Sequence, residues 1–195
     1  MPKIVDHDQR RREIVEVAKR LILRGGFEAA TMRSISAEAG FANGALKHYF
    51  PGKDSIVAAT FESVLVQISE HLDASGAETP SAEGELRAFL FSTMPRDREQ
   101  IAAGRVLLAL WKYALVHPAL ADLYRGHLDG WRDALVTRME AARDEGAIRD
   151  QDFAPLADEY ISTAIGGTIV HLMHPGGERI AEYDAYIERF LARLR

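Results

Sequence analysis

The stretch Thr31–Asp54, TMRSISAEAGFANGALKHYFPGKD, decides the fold of the N-terminal part of the chain. Thr31 is a good N-cap for a short helix, since its side-chain oxygen can accept a hydrogen bond from a free backbone amide. Ile35 and Ala39 then face inward at helical spacing, and Gly40 supplies the left-handed residue that ends such a helix. The first half of the stretch therefore predicts one short helix.

The second half of the stretch predicts another short helix, from about Asn43 to Tyr49, which Pro51-Gly52 breaks. An earlier helix with an apolar stripe from Ile14 to Ile22 ends at Gly25-Gly26 and braces the pair. Two short helices about a glycine turn form a helix-turn-helix unit. The second helix of such a unit reads the major groove of DNA.

The rest of the sequence predicts an all-α protein, with no alternation of the kind that β-strands show and no internal repeat. Six longer helices follow the three short ones, and the one over residues 101–116 is apolar nearly all round, so we expect it to be central and buried. Their predicted ranges are residues 54–72, 81–94, 101–116, 120–146, 155–172 and 180–194.

Composition and charge narrow the functional classes. The 195 residues are 47% hydrophobic and contain no cysteine, which excludes disulfides and thiolate catalysis. No apolar run approaches the roughly 18 residues of a membrane span, and the N-terminus lacks the apolar core of a signal peptide, so we expect a cytoplasmic protein. Residues 1–55 hold ten Lys/Arg against seven Asp/Glu, whereas residues 56–195 hold fourteen against twenty-two. This asymmetry favours contact of the first part with a polyanion, although a surplus of this size also arises by chance.

Lys53 stands where the fourth helix is predicted to begin. A cation there opposes the positive end of the helix dipole. A bound phosphate would remove this conflict, because free backbone amides and the ammonium would both point at it. The alternative is a solvated lysine whose small cost the fold tolerates.

The segment from Arg10 to about Phe61 resembles the DNA-binding domain of TetR-family transcriptional regulators. The spacing is Thr–x3–Ile–x3–Ala-Gly–x5–Leu–x2–Tyr-Phe–x2–Lys. The residues that carry it are Phe27, Thr31, Ile35, Ala39, Gly40, Gly44, Leu46, His48, Tyr49, Phe50 and Lys53. A second segment, residues 107–167, with ALWKYAL, HPALADLY and the DEGAIR turn, is similar to the choline-responsive, BetI-type branch.

The resemblance implies a three-helix DNA-binding domain over residues 1–53 and a six-helix ligand-binding and dimerisation domain over residues 54–195. Thr31, Tyr49 and Lys53 match positions at which the family contacts phosphate. His48 is also predicted to lie on the DNA-binding surface. The positions where the family reaches base edges are Arg33, Asn43, Gly44, Ala45 and Lys47.

Three positions depart from the family pattern. Many members have Ser or Thr where this chain has Ala42, and Lys where it has Asn43; Asn43 can take over the cap of the third helix. A tyrosine is usual where this chain has Lys47, which can donate to guanine O6 or N7 or pair with a phosphate. The base preference of this chain therefore differs from family norms in a way that these residues leave open.

The resemblance also implies a homodimer that binds a palindromic operator, because a two-fold pair doubles the base contacts of one recognition helix. The last two helices carry apolar residues on more than one face, and in the family they form a four-helix bundle with their dimer mates. The alternative is that the second face packs within one chain. The interface residues predicted are Tyr160, Ala164, Gly167, Thr168, Tyr186, Ile187 and Phe190.

The middle helices are rich in aromatic residues with polar groups among them, which suits a small, partly hydrophobic effector. Most such residues are core in any helical protein, and that alternative stands beside the pocket. Trp111 and Trp131 can face a cationic ligand through cation–π contact. The pocket residues predicted are Phe61, Leu65, Phe89, Leu107, Trp111, Tyr113, His117, Tyr124, Trp131 and His171.

The mechanism expected is a shift of population by the effector, usually away from the operator-binding state of a repressor. An enzyme is the chief alternative class, but no nucleophile context or Gly-rich phosphate loop is present, and we expect no cofactor. His171 and His174 lie three residues apart without an acidic partner at metal-site spacing, so we expect no metal. A helical dimer that has lost operator binding is the other alternative, against which Tyr49, Phe50 and Lys53 argue.

Overall fold

A computed structural model describes residues 7–42, 44–75, 79–174 and 180–195 of the chain. These residues form eight α-helices and two short 3-10 helices, and no β-strand occurs among them. The predicted all-α class is therefore confirmed. The α-helices are α1 (His7–Gly25), α2 (Met32–Glu38), α3 (Lys53–Ala74), α4 (Ala82–Ser92), α5 (Arg98–Ala114), α6 (Pro118–Asp144), α7 (Phe153–Leu172) and α8 (Ile180–Leu194), and the 3-10 helices are Phe27–Ala29 and Ala45–His48.

The chain divides into two compact units. The first consists of Met1–Val66 with Arg105–Leu123, and the second of Gln67–Gly104 with Tyr124–Arg195. Each division point falls inside a long helix, so α3, α5 and α6 each contribute residues to both units. The family resemblance implies a DNA-binding domain that ends at residue 53, and this boundary stays a prediction. The residues of that domain all belong to the first unit.

The first unit is built on the apolar stripe of α1. Ile14, Ala18 and Ile22 are buried on that helix, as their spacing predicts. Ile35 of α2 and Phe50 before α3 are also fully buried. A short helix such as α2 has little stability of its own, so burial of Ile35 holds it in place.

The second unit has one apolar core formed by α4, α6, α7 and α8 together with the end of α3. Its members include Leu86, Met139, Tyr160 and Phe190, each with at most 1% of its surface exposed. The start of α4 is fixed twice, because the Ser81 side chain caps it and its first amide donates to Glu145 at 2.9 Å. Satisfying these free amides offsets the cost of bringing a helix end against the core.

The predicted central helix differs from the observed one. The helix α5 ends at Ala114, and the two residues after it, Leu115 and Val116, are 85% and 73% exposed. Arg105 and Lys112 on α5 are also exposed, so the helix is amphipathic rather than buried all round. The prediction of one buried helix over residues 101–116 was wrong at its end, because Leu115 and Val116 belong to the turn between α5 and α6.

Among the described helices, none combines the length and the apolar character that a membrane span requires. Within the same residues, no group of three His, Cys, Asp or Glu side chains is arranged to hold a metal ion.

Candidate functional site

The helix α2 begins with a closed pair of hydrogen bonds. The Thr31 hydroxyl oxygen accepts from the Ser34 amide at 3.0 Å, and the Ser34 hydroxyl oxygen accepts from the Thr31 amide at 2.9 Å. This capping box satisfies two amides that a short helix would otherwise leave free. Thr31 remains exposed, so its position at the helix end is fixed while its surface stays open.

The turn after α2 uses two glycines in the left-handed region. Gly40 has φ of 72° and Gly44 has φ of 97°, values that residues with a Cβ rarely adopt. After Gly44 the chain forms one 3-10 turn, Ala45–His48, instead of the α-helix predicted from Asn43 to Tyr49. Six residues lie between the left-handed glycine and the Pro51-Gly52 break, fewer than two turns of an α-helix. Asn43, predicted as a cap and a base contact, lies outside the described residues.

Four arginine and lysine side chains of the first unit form two groups that differ in their partners. Arg20 and Arg24 of α1 both form ion pairs with Glu38. The distance from Arg20 Nε to Glu38 Oε1 is 3.3 Å. Arg33 on α2 and Lys47 on the 3-10 turn are exposed and have no ion pair with any residue that the structure describes. Both belong to the helix-turn-helix segment, so their charges are available to an external anion, whereas Arg20 and Arg24 share the carboxylate of Glu38.

Tyr49 closes the segment and is held from several sides. Its ring lies 4.8 Å from the His7 ring and 5.5 Å from the Phe41 ring, between centroids. Arg11 donates a hydrogen bond to the Tyr49 carbonyl, and its guanidinium lies 4.1 Å from the centre of the Phe50 ring. Arg11 was not among the predicted site residues, although the run Arg10–Arg12 indicates cations on the helix before the turn.

Lys53 is the first residue of α3, as predicted for a helix start. It is not simply solvated, because its ammonium lies 3.9 Å from the centre of the Phe27 ring and 3.7 Å from a Glu28 carboxylate oxygen. Cation–π attraction to Phe27 offsets part of the unfavourable interaction with the helix dipole. Glu28 is 90% exposed on its side chain, so this partner is mobile enough to be exchanged for another anion.

Tyr113 and His117, predicted to line an effector pocket, lie in the first unit beside the start of α3. The Tyr113 ring lies 4.6 Å from the Phe27 ring, and its hydroxyl donates to Asp54 at 2.5 Å. The His117 ring lies 3.6 Å from the Tyr113 ring. Burial, then the hydrogen bond to Asp54, raises the pKa of Tyr113 to about 12. These contacts join the end of α5 to the start of α3 within the first unit, a pairing across 59 residues that no local pattern could indicate.

A group of half-buried polar and aromatic side chains occupies the second unit. The Trp131 indole donates to the Ser69 hydroxyl at 2.9 Å, and the same hydroxyl lies 3.3 Å from His127 Nδ1. The Tyr124 ring meets the Trp131 ring edge-on at 6.5 Å. We call these four residues the Trp131 cluster. Two of the predicted pocket residues, Tyr124 and Trp131, are thus brought together.

His171, another predicted pocket residue of the second unit, is 2% exposed, and neither of its ring nitrogens has a hydrogen-bond partner among the described residues. A buried polar group of this kind usually has a partner, which a bound molecule can supply. Phe89 is buried in the core of the same unit, with the Arg138 guanidinium 4.5 Å from its ring centre. The remaining predicted pocket residues lie in the first unit. Phe61, Leu65 and Leu107 are buried, and Trp111 is half-buried.

The predicted dimer residues need correction. Tyr160, Ala164, Ile187 and Phe190 are at most 7% exposed and belong to the core of the second unit. A side chain buried inside its own chain has no surface left for a second copy, so the apolar residues on these faces serve the intrachain packing that the alternative expected. Tyr160 also donates its hydroxyl to the Leu90 carbonyl at 2.6 Å.

Gly167 is explained by contact within the chain. A Cβ at this position would lie 2.4 Å from the Tyr183 ring of α8, closer than real Cβ atoms approach. The glycine therefore lets α7 and α8 pack closely. The next residue along, Thr168, and Tyr186 on α8 are half-buried, and they stay predictions for an interface between chains.

A short helix and a second turn joined by a glycine turn, with the exposed Arg33 on the helix and the exposed Lys47 on the second turn, define a helix-turn-helix DNA-binding protein. Comparison with known families agrees: the family described as "Bacterial regulatory proteins, tetR family" matches residues 14–60, and that described as "BetI-type transcriptional repressor, C-terminal" matches residues 82–195. The chain belongs to the TetR family of bacterial transcriptional regulators, with a C-terminal part of the BetI type. It is accordingly a DNA-binding regulator and not an enzyme.

Curated relatives include BetI from Brucella anthropi, 34% identical over 196 residues that cover 98% of this chain and 96% of the relative. PksA from Bacillus subtilis is 28% identical over 175 residues, covering 89% of this chain and 83% of the relative. Both are described as HTH-type transcriptional regulators.

Solved structures share the fold. A TetR transcription regulator from Haloarcula marismortui superposes with a TM-score of 0.86 at 20% identity, covering 96% of this chain and 98% of that one. A regulator from Saccharomonospora viridis, described as in complex with choline, has a TM-score of 0.83 at 23% identity and covers 95% and 96%.

Proposed function

We propose that this protein is a repressor that binds a palindromic operator as a homodimer and releases it when a small, partly hydrophobic effector binds. The observation that carries the DNA-binding part is the pair of exposed cations Arg33 and Lys47, which have no ion pair among the described residues and lie on the helix-turn-helix segment of an acidic chain. The acidic remainder repels DNA, which favours docking through this one face. The proposal implies action in the cytoplasm, because bacterial operator DNA lies there.

The DNA contacts are tested by replacing one cation from each group. Lys47→Ala should weaken DNA binding and lower the slope of log affinity against log salt by about 1.8, the amount expected for one lost phosphate contact in each chain of the dimer. Arg20→Ala is the matched control, since Arg20 already pairs with Glu38 and its loss should leave the slope unchanged. Fluorescence anisotropy with duplex DNA at several salt concentrations measures both. Equal effects of the two substitutions would contradict the proposed face.

A second outcome for Lys47→Ala is a lower affinity for DNA with an unchanged slope of log affinity against log salt. It would assign Lys47 to a base edge instead of a phosphate, because a base contact releases no condensed counterion. Substituting each base pair of the selected site then locates the contact: discrimination at one guanine should fall by roughly 1–3 kcal/mol in the variant.

The homodimer part rests on an exposed stripe of α7. Ser162, Gly166, Val170 and Met173 recur three to four residues apart, and the last two are 44% and 67% exposed. A Cβ at Gly166 would meet nothing within 4 Å in this chain, so its small size is not required by intrachain packing. We propose that this stripe, and not the buried residues predicted earlier, contacts the second copy. Sedimentation equilibrium with Val170→Glu should show monomers where the wild type forms dimers.

The effector part rests on two features of the second unit. The Trp131 cluster offers an aromatic face, and His171 offers two buried nitrogens without partners among the described residues. The choline complex of the Saccharomonospora viridis regulator suggests a quaternary ammonium compound as the effector class, for which an indole face is well suited. Choline binding to the wild type and to Trp131→Phe, followed by calorimetry, tests this. Its neutral isostere 3,3-dimethyl-1-butanol is the control, and equal binding of the two would exclude recognition of the charge.

Effector binding must be coupled to DNA binding for the proposal to hold. The helices α3, α5 and α6 each run from one unit into the other, so each offers a continuous path for such coupling. Coupling of roughly 1–3 kcal/mol would change operator affinity about 5- to 150-fold. Operator DNA must weaken effector binding by the same factor. An effector that binds with the same affinity in the presence and in the absence of operator DNA would contradict this coupling.

A further inference from the structure

We infer that Tyr113 is a positioning residue for DNA binding: through its contacts with Phe27 and Asp54 it holds the ammonium group of Lys53 where an operator phosphate binds. The inference rests on the proposed function, in which Lys53 meets a phosphate. It adds a residue that neither the family spacing nor the charge pattern of the N-terminal segment contains. All the residues involved lie in the first unit.

The first step concerns the ring on which Lys53 rests. The Lys53 ammonium lies 3.9 Å from the centre of the Phe27 ring, and the Tyr113 ring lies 4.6 Å from the same ring. Phe27 is only half-buried and belongs to a 3-10 helix of three residues, so its own element restrains it little. The Tyr113 ring supplies a second contact that limits where the Phe27 face, and with it the ammonium, can lie.

The second step concerns the residue next to Lys53. Asp54 is an anion at the N-terminus of α3, where the helix dipole favours it but where it would repel an incoming phosphate. The Tyr113 hydroxyl donates to Asp54 Oδ1 at 2.5 Å, which fixes the direction of this carboxylate. Because the pKa of Tyr113 is raised to about 12, the hydroxyl keeps its proton at every pH at which the protein is assayed.

The third step concerns competition for the ammonium. Glu28 lies 3.7 Å from Lys53 and is almost fully exposed, so in the absence of DNA the ammonium has an alternative anion. A lysine side chain has four rotatable bonds and pays for being fixed on binding. Holding the Phe27 face and Asp54 in place reduces this cost for the phosphate-bound position. Loss of the Tyr113 hydroxyl should therefore weaken DNA binding without removing any charge from the protein.

The test is a double-mutant cycle. The probe is a duplex of about 30 base pairs, long enough for two half-sites one turn apart, selected by the wild-type protein from a random-sequence pool. Tyr113→Phe keeps the ring and loses the hydroxyl, and we expect about 3- to 10-fold weaker binding, the range for one hydrogen bond. In a Lys53→Ala background the same substitution should have no further effect. Additive losses would overturn the inference, and so would unchanged binding of Tyr113→Phe.

The salt dependence separates positioning from a general loss of structure. If Tyr113 acts through Lys53, Tyr113→Phe should lower the slope of log affinity against log salt toward that of Lys53→Ala, by at most about 1.8, or about 0.9 for each chain of the dimer. A merely structural defect would lower affinity and leave the slope as it is in the wild type, which would contradict the inference. Tyr160→Phe is the control: it removes a buried hydroxyl that donates to the Leu90 carbonyl in the other unit, and it should change neither the affinity for DNA nor the slope.

A second variant covers the case in which Tyr113→Phe lowers the melting temperature. Phe27→Leu keeps an apolar side chain but removes the face that Lys53 and Tyr113 share, and it should show the same lack of additivity with Lys53→Ala. Independent effects of Phe27→Leu and Lys53→Ala would overturn the inference. Failure of the wild type to select any sequence would instead overturn the proposed function, together with the inference that rests on it.

Discussion

Replacing each of two neighbouring glycines of α7 by alanine should have opposite effects on stability. At Gly167 the new Cβ would lie 2.4 Å from Cε2 and 2.8 Å from Cδ2 of Tyr183, a ring that is 8% exposed. At Gly166 the new Cβ would meet nothing within 4 Å. Both positions lie inside the same helix, so each gains the same backbone preference of alanine over glycine.

The magnitudes follow from two terms. Alanine is favoured over glycine in a helix interior by about 1 kcal/mol. Overpacking a well-filled core costs about 1–3 kcal/mol, and a contact 1 Å shorter than ordinary van der Waals distance against a buried ring belongs in the upper half of that range. Gly167→Ala should therefore lower the free energy of unfolding by about 1–2 kcal/mol, whereas Gly166→Ala should raise it by up to about 1 kcal/mol.

Urea unfolding followed by circular dichroism measures both changes. Because a dimer's apparent stability depends on protein concentration, each variant is compared with the wild type at several concentrations. Sedimentation equilibrium then separates the two glycines further: the dissociation constant of the dimer should be unchanged in Gly167→Ala, whereas an added methyl at Gly166 lies on the stripe proposed to meet the second copy. Equal stabilisation by both alanines would refute the packing argument for Gly167.

Three further outcomes are expected. Glu28→Gln should strengthen DNA binding in an anisotropy titration, because it removes the carboxylate that competes with phosphate for Lys53; unchanged or weaker binding would speak against that competition. Tyr160→Phe should cost about 1 kcal/mol in urea unfolding, since it removes the buried hydrogen bond to the Leu90 carbonyl; no loss would mean that the bond contributes nothing net. Burial raises the pKa of Tyr183 to about 12, above the usual value of 10.0. Its contribution to stability is therefore complete below pH 10 and is lost as pH rises through about 12, and Tyr183→Phe should lose less stability than the wild type over that interval.

The sequence predicted the helices well where local chemistry decides them. The helix start at Lys53, the Ser81 cap and the last helix from Ile180 to Leu194 follow from caps, breaks and apolar spacing. The third short helix was predicted too long, because a left-handed Gly44 limits the segment and a glycine's φ is not visible in sequence.

The candidate sites were harder to predict because they depend on contacts between distant residues. Tyr113 carries the aromatic and polar character of a pocket residue, yet its partners Phe27 and Asp54 lie far from it in sequence. Apolar residues on two faces of α7 and α8 were assigned to a second chain, although Tyr160 and Phe190 are buried in the core of their own. The helical spacing of apolar residues predicts which side chains are buried, but it does not show whether they pack against the same chain or a second one.

Selection of DNA from a random-sequence pool by the full-length protein, followed by sequencing, tests the central claim most directly. We predict an inverted repeat whose half-sites lie about one helical turn apart, bound by two chains in sedimentation and bound more weakly by the Lys47→Ala protein. Enrichment of no common sequence, or of a single half-site bound by one chain, would contradict it.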